Sequence, residues 1–306
     1  MHGDRASMDP AAVGAVRGTR RGSPGPIGVP GFEPGTSPTR TARATRLRHT
    51  PSANRVAGEV ARRDEIIAFC DELLEVDAYP DYGPVGLQVA GSDEVSKIVC
   101  GVSASRDLFE RARDSGAQMV LVHHGLFWER DARVVGPLLR ERLRALLDAD
   151  MSLVAYHLAL DAHQEVGNNA YLARELGVEM EQRFADVGWG GSLARPVSMP
   201  DFATRIQEVM ERMPLVFAYG PEEVRRVAIC SGGAARDLTV AVDDGYDCFI
   251  TGEAAEPTKH AAKEAGIHFV AAGHYATETS GVQLLAERIG ERFGLEWSFV
   301  DLPNPV

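Results

Sequence analysis

Apolar residues recur along this chain in two alternating patterns from about residue 62 onward. Short apolar runs bounded by turn residues predict strands, and apolar positions three or four residues apart predict helices. The predicted helices cover 62–76, 107–115, 136–149, 168–176, 200–213, 235–243, 256–265 and 280–293. The predicted strands cover 97–102, 118–122, 152–156, 226–230, 247–251, 268–271 and 296–300. This alternation is typical of an α/β fold with largely buried strands.

The first 55 residues lack this pattern. They carry nine arginines against three acidic residues, and glycine and proline recur throughout. Such a segment buries too little apolar surface to offset its ordering entropy, so we expect residues 1–55 to be disordered. The prolines oppose an amphipathic transit peptide, and an arm for nucleic acid would carry interleaved aromatic residues. We favour a functionless tail or a start site assigned too far upstream, with the folded chain beginning near Val56.

Composition and charge exclude several classes of protein. The chain has 306 residues and a net charge of −12, which argues against a broad nucleic-acid surface. No apolar run approaches the roughly 20 residues that span a bilayer. The four cysteines lie far apart in the sequence and form no C-x-x-C pair, which favours buried free thiols in a reducing cytoplasm. We therefore expect a cytoplasmic protein without a membrane partner.

Metal-capable side chains follow four of the predicted strands. Ligands bind beyond the carboxyl ends of strands in α/β sheets, so chemistry is expected at these positions. The four strand ends carry His123-His124-Gly125, His157 with Asp161 four residues on, Thr251-Gly252-Glu253, and His274 with Glu278 four residues on. Their coincidence predicts a metal site.

The types and spacing of these residues suit a pair of ions. Adjacent histidines point to opposite faces of a regular strand. Beside the permissive Gly125, however, the chain can turn so that both imidazole rings point inward, and His123 and His124 can then bind neighbouring ions. His274 and Glu278 share a face if a helix begins there, and the two oxygens of Glu278 can bridge two cations. Imidazole and carboxylate ligands without thiolate suit zinc, iron, manganese or cobalt, and two such ions can activate water for hydrolysis.

Other motifs are given more modest roles. His157 could be a ligand, but we favour a role in orienting a ligand or a substrate. We expect His163, His260 and His268 to be solvated or structural. The segment Ser231-Gly232-Gly233 either cradles an anion or forms a tight turn. The sequence contains neither a G-x-x-x-x-G-K-[ST] phosphate loop nor a G-x-S-x-G nucleophile elbow.

Several motifs in combination resemble the GTP cyclohydrolase I type 2 family, which is also called Nif-three-like. The similarity runs from about residue 60 to the C-terminus, and the length matches the short bacterial members without the inserted domain. The motifs are Val122-His123-His124-Gly125-Leu126-Phe127-Trp128, His157-Leu158-Ala159-Leu160-Asp161-Ala162-His163, Gly167-Asn168-Asn169-Ala170, Thr251-Gly252-Glu253, Gly273-His274-Tyr275-Ala276-Thr277-Glu278 and Pro303-Asn304-Pro305.

The resemblance implies two divalent metal ions per subunit. Matched motif by motif, the implied ligands are His123, His124, Asp161, His274 and Glu278, with Glu278 as the bridge. The resemblance also implies two similar intertwined α/β lobes with mixed sheets flanked by helices, and a homohexamer with the metals facing an internal cavity. Residues 56–180 are expected to form the first lobe, with 271–306 packing back onto it, and residues 181–270 the second.

The family name implies a small-molecule substrate, the nucleotide GTP, which is hydrolysed to dihydroneopterin triphosphate and formate. Water would attack C8 of the purine, and His157 would act as the catalytic residue that moves protons. The alternative is a non-catalytic protein that binds or delivers metal ions.

Overall fold

The computed structural model describes residues 59–306, all within one compact unit. The expectations for residues 1–55, and for a folded chain beginning near Val56, concern residues outside the described range.

The helices are α1 (Arg63–Leu74), α2 (Arg106–Asp114), α3 (Pro137–Leu147), α4 (Leu158–Ala162), α5 (Asn168–Leu176), α6 (Met199–Met210), α7 (Leu238–Asp243), α8 (Thr258–Ala265), α9 (His274–Thr277) and α10 (Thr279–Phe293), with 3₁₀ turns at Val76–Ala78 and Ala235–Asp237. The strands are β1 (Ala61–Arg62), β2 (Gly86–Val89), β3 (Glu94–Val95), β4 (Lys97–Ser103), β5 (Met119–His124), β6 (Ser152–Ala155), β7 (Val178–Phe184), β8 (Gly188–Ser198), β9 (Leu215–Phe217), β10 (Glu223–Ile229), β11 (Cys248–Thr251), β12 (His268–Ala271) and β13 (Glu296–Phe299).

The first large sheet has five strands in the order β13-β4-β5-β6-β2. Its first four strands are parallel, and β2 is antiparallel to β6 at the edge. In the β5–β6 register, Val122 lies opposite Ala155. His123, one of the last two residues of β5, and His157, two residues after the end of β6, therefore lie at the same carboxyl edge of the sheet.

The second large sheet has six strands in the order β7-β8-β10-β11-β12-β9. Its central strands β10, β11 and β12 are parallel, while β7, β8 and β9 are antiparallel to their neighbours. Thr251 lies opposite Ala271, so Glu253 and His274 follow adjacent strand ends. The α/β class with mixed sheets is confirmed. The division into lobes at residues 180 and 270 stays a prediction.

The sequence pattern missed the antiparallel hairpin of β7 and β8. Two features obscure its alternation: a register shift between Met180 and Gln182, and glycines at positions 190 and 191. A side chain at Gly190 would overlap the Tyr246 ring, and one at Gly191 would overlap the backbone of β7. These positions must be small, so they carry no hydrophobic signal even though they are buried.

Helix α10 packs against the first sheet and follows the last parallel strand of the second sheet in the chain. The chain leaves β12 of the second sheet, passes through α9 and enters α10, which packs against β4 and β5 of the first sheet. The apolar face of this helix is buried in the core beneath that sheet, at Val282, Leu285, Ala286 and Ile289. This crossing brings the carboxyl edges of both sheets to one place.

Two expectations from composition can be checked in the described residues. All four cysteines are buried free thiols, and burial raises the pKa of each. Within residues 59–306, no helix combines the length and the apolar character needed to cross a bilayer.

We predict that Phe249→Ala destabilises the fold by about 3–5 kcal/mol. Phe249 is fully buried in β11, with its ring 5.2 Å from that of Phe184 and 5.8 Å from that of Phe269. Urea unfolding measures the change, with Met213→Ala, at a position that is 72% exposed, as the control. The control should change stability by less than about 0.5 kcal/mol. Equal effects of the two substitutions would contradict this account of the core.

Candidate metal centre

Two histidine rings stand side by side at the carboxyl end of β5. The ring centroids of His123 and His124 are 4.8 Å apart, so the strand end presents both rings to one place. The fully buried His123 places Nδ1 3.0 Å from the carbonyl oxygen of Tyr156. A carbonyl only accepts, so Nδ1 carries the hydrogen and Nε2 presents its lone pair to the site. The Nδ1 atom of His124 lies 3.1 Å from Ser103 Oγ, which orients the second ring.

Asp161 lies in the short helix α4 that follows β6. Its Oδ1 accepts hydrogen bonds from Asn168 Nδ2 at 2.8 Å and from Ser231 Oγ at 3.1 Å. Its Oδ2 lies 3.4 Å from His123 Nε2. One carboxylate oxygen is thus held by the protein, and the other faces the site.

Glu278 lies at the centre of the cluster. His274 begins α9 and Glu278 follows its end, so the i, i+4 spacing puts Glu278 Oε1 3.3 Å from His274 Nε2. The same oxygen is 3.5 Å from His123 Nε2, and Oε2 is 3.3 Å from His124 Nε2. A single buried carboxylate therefore contacts imidazoles from both sheets.

The donor atoms at this centre fit a cation. Among the described residues, His123 Nε2 and Glu278 Oε2 are buried without a hydrogen-bond partner, an arrangement that is costly unless something else binds there. Two groups bring their ligand atoms within 4.8 Å of one another: His123, His124 and His157, and His124, His274 and Glu278. Imidazole nitrogens with carboxylate oxygens are a donor set that suits zinc, iron, manganese and cobalt.

The negative charges of the buried carboxylates at this centre also favour a bound cation. Burial by itself lowers the pKa of His123, but the charges of Asp161 and Glu278 outweigh it and raise this pKa well above its ordinary value. Burial and the neighbouring charge of His123 lower the pKa of His124 to about 3. The hydrogen bond that His274 donates to Glu278 raises the pKa of His274. The carboxylates thus favour positive charge in this space, and a metal ion can supply it instead of a proton.

His157 lies at the rim of the same cluster. Its ring centroid is 4.9 Å from that of His123 and 5.5 Å from that of His124. Its Nδ1 is 2.8 Å from Asp81 Oδ1. Sequence reasoning missed Asp81 because it lies in a turn-rich stretch without periodicity. It placed Ser231 only in an anion cradle or a tight turn, whereas the Ser231 hydroxyl donates to Asp161 across 70 positions of sequence.

Glu253 contacts His274 from the neighbouring strand end. Its Oε1 lies 3.4 Å from His274 Nδ1, on a side chain that is 43% exposed. The remaining histidines take structural or solvated positions. His163 Nδ1 accepts backbone hydrogen bonds in a turn, His268 binds the backbone of the loop at residues 220–221, and His260 is exposed.

Gly232 forms a tight turn beneath the cluster. Its N–H donates to Thr277 Oγ1 at 3.0 Å, and its carbonyl accepts from Gly252 N at 2.8 Å. These bonds favour the turn over an anion cradle. A side chain here would overlap Glu278 Oε1 and would lie 3.2 Å from His274 Nε2. The close approach of Glu278 therefore requires glycine at this position.

The sequence profile of the family described as Duf34/NIF3 (NGG1p interacting factor 3) matches residues 61–305. A Pseudomonas aeruginosa protein named "GTP cyclohydrolase 1 type 2 homolog" is 44% identical over 246 residues, which are 79% of this chain and 97% of that relative. An Escherichia coli K12 protein of the same name is 43% identical over 246 residues, 80% of this chain and the whole of the relative. The resemblance drawn from the motifs is confirmed.

Among solved structures, "protein ybgI, unknown function" superposes with a TM-score of 0.78 at 43% sequence identity. The superposition covers 80% of this chain and all of that one. The described fold is thus the fold of a relative along its entire length.

We predict that Gly232→Ala greatly reduces the amount of transition metal that copurifies with the protein. Its φ of +67° strains any other residue, and the new Cβ displaces Glu278. Gly116→Ala is the matched control, because Gly116 has φ +75° but open space around it. Elemental analysis and circular dichroism of both variants separate backbone strain from the clash. Equal metal content in the two folded variants would show that the close approach of Glu278 is irrelevant.

Proposed function

The chain belongs to the Duf34/NIF3 family, and on that premise we propose that it is a hydrolase that holds two divalent metal ions between its sheets. The observation that carries the proposal is the environment of Glu278. This buried carboxylate contacts three histidines, and Glu278 Oε2 and His123 Nε2 have no hydrogen-bond partner among the described residues. A bound cation would satisfy these atoms.

We propose that the ligands divide between two ions, with Glu278 shared by both. His123 with Asp161 would hold one ion and His124 with His274 the other, and the two oxygens of Glu278 would bridge them. The contact between His123 and Asp161 supports this division, as does the grouping of the ligand atoms of His124, His274 and Glu278 within 4.8 Å of one another. Zinc, iron, manganese and cobalt all suit the donor set. When bound, two such ions supply Lewis-acid activation of water for hydrolysis.

A solvent-open cleft beside the cluster offers a small-molecule substrate a place to approach it. The cleft is lined by His123 and His157 and by the aromatic side chains of Phe127 and Trp128. The Trp128 ring lies edge-on to His157, with the centroids 5.2 Å apart. We propose that a planar heterocycle occupies this cleft, and that His157 moves protons to and from it.

GTP is the proposed substrate, with dihydroneopterin triphosphate and formate as the products. The relatives' name, "GTP cyclohydrolase 1 type 2 homolog", supports this choice, as do the aromatic side chains that line the cleft, on which a purine ring could pack. The homohexamer and the cytoplasmic location stay predictions. Light scattering of the purified chain would test the hexamer.

We predict about two transition-metal ions per chain in protein purified without chelators, and a large loss in Glu278→Gln. The substitution keeps the volume of the side chain but replaces one oxygen with an amide nitrogen, which cannot bridge cations. The control is Glu165→Gln, on an exposed carboxylate that pairs with Arg288 outside the centre. Elemental analysis gives the stoichiometry. Fewer than one ion per chain in the unsubstituted protein would contradict the two-ion centre.

We predict metal-dependent turnover of GTP that falls more than about 100-fold in His124→Ala. Even outer partners of metal ligands are worth 10–100-fold, and His124 is proposed to bind directly. Metal-loaded protein is incubated with GTP, other nucleotides and generic phosphoesters, and the products are separated by chromatography. Failure to form any metal-dependent product would favour the alternative of a non-catalytic protein that binds or delivers metal ions.

A further inference from the structure

Asp81 is a buried carboxylate in the loop between α1 and β2, and it makes three hydrogen bonds. Its side chain is only 3% exposed. Oδ1 accepts from Tyr82 N at 2.7 Å and lies 2.8 Å from His157 Nδ1, and Oδ2 accepts from Leu158 N at 2.9 Å. Both oxygens are thus engaged with backbone or ring nitrogens, two of which belong to the segment directly after β6.

These contacts keep Asp81 charged although it is buried. Burial raises the pKa of a carboxyl group, but here the hydrogen bond and the charge of His157, with the two backbone N–H groups, lower it below its ordinary value. An ionised carboxylate can only accept hydrogen bonds. The hydrogen between Asp81 and His157 therefore resides on Nδ1 of the imidazole.

The consequence for His157 is a defined ring nitrogen. With Nδ1 bound to Asp81, Nε2 is the ring nitrogen that this contact leaves available. Asp81 and His157 line the same cleft, and the Trp128 ring packs edge-on against His157 at 5.2 Å. The ring is therefore held on two sides, and only one of its nitrogens is available to a molecule in the cleft.

We propose that Asp81 is a positioning residue: it fixes the Nδ1–H tautomer of His157 and so makes Nε2 the atom that exchanges protons with the substrate. The role in turnover rests on the proposed function, whereas the tautomer can be measured without a substrate. The alternative is that Asp81 merely anchors its loop to the segment after β6. The two accounts differ in what they predict for an isosteric amide.

Asp81→Asn is the decisive substitution. The amide presents one oxygen and one NH₂ group to the three donors Tyr82 N, His157 Nδ1 and Leu158 N. With its oxygen toward Leu158 N, the NH₂ group faces His157, Nδ1 becomes the acceptor and the hydrogen moves to Nε2. The matched control is Asp71→Asn. Asp71 also accepts a side-chain hydrogen bond, from Tyr156 Oη at 2.7 Å, but it makes no bond to His157.

The first readout is ¹⁵N NMR of zinc-loaded protein labelled at histidine, with the His157 signal assigned by its loss in His157→Gln. We expect the Nδ1–H pattern in the unsubstituted protein and in Asp71→Asn, and the Nε2–H pattern in Asp81→Asn. An Nε2–H pattern in the unsubstituted protein would overturn the proposal even if Asp81→Asn failed to fold. Asp81→Ala removes the side-chain acceptor at this position altogether, and an unchanged tautomer in that folded variant would overturn the proposal equally.

The second readout is kinetics at equal zinc content. We expect kcat to fall about 10–100-fold in Asp81→Asn with little change in KM, since binding does not depend on the tautomer but proton transfer does. A switched tautomer with unchanged kcat would refute the positioning role. If the unsubstituted protein turns over no substrate, the proposed hydrolase function fails, while the NMR experiment still decides what Asp81 does to His157.

Discussion

The burial of Glu278 is the constraint on which the rest of this centre depends. Removing a carboxylate from water is expensive unless positive charge or hydrogen bonds replace the solvent. Here His123, His124 and His274 surround it at 3.3–3.5 Å, and they hold its pKa well below the ordinary value although burial opposes this. The protein thus keeps a negative charge in its interior, where a cation gains most from it.

The architecture supplies that environment by bringing two sheets edge to edge. His123 and His124 come from the parallel strands of the first sheet, whereas His274 and Glu278 follow a parallel strand of the second. The passage from β12 through α9 into α10 makes this possible, because α10 packs its apolar face on the first sheet. Burial of that face therefore positions Glu278 as well as stabilising the fold.

Hydrogen bonds on the far side of several side chains in the cluster fix their orientation. The carbonyl of Tyr156 fixes the ring of His123, and Asn168 and Ser231 hold one oxygen of Asp161. Asp81 does the same for His157. Such partners pre-organise a site, because the side chains lose little further freedom when a ligand binds.

The sequence by itself determined the α/β class, most of the strands and helices, and the residues at the strand ends, because strand and helix periodicities and polar strand ends are local signals. It could not find the β7–β8 hairpin, whose glycines are required by the packing of Tyr246 and of the backbone of β7. It also could not find Asp81, which meets His157 across 76 positions of sequence. Only tertiary packing decided that strand ends from two different sheets face one another. The local sequence of a helix such as α10 does not specify which distant surface the helix will cover.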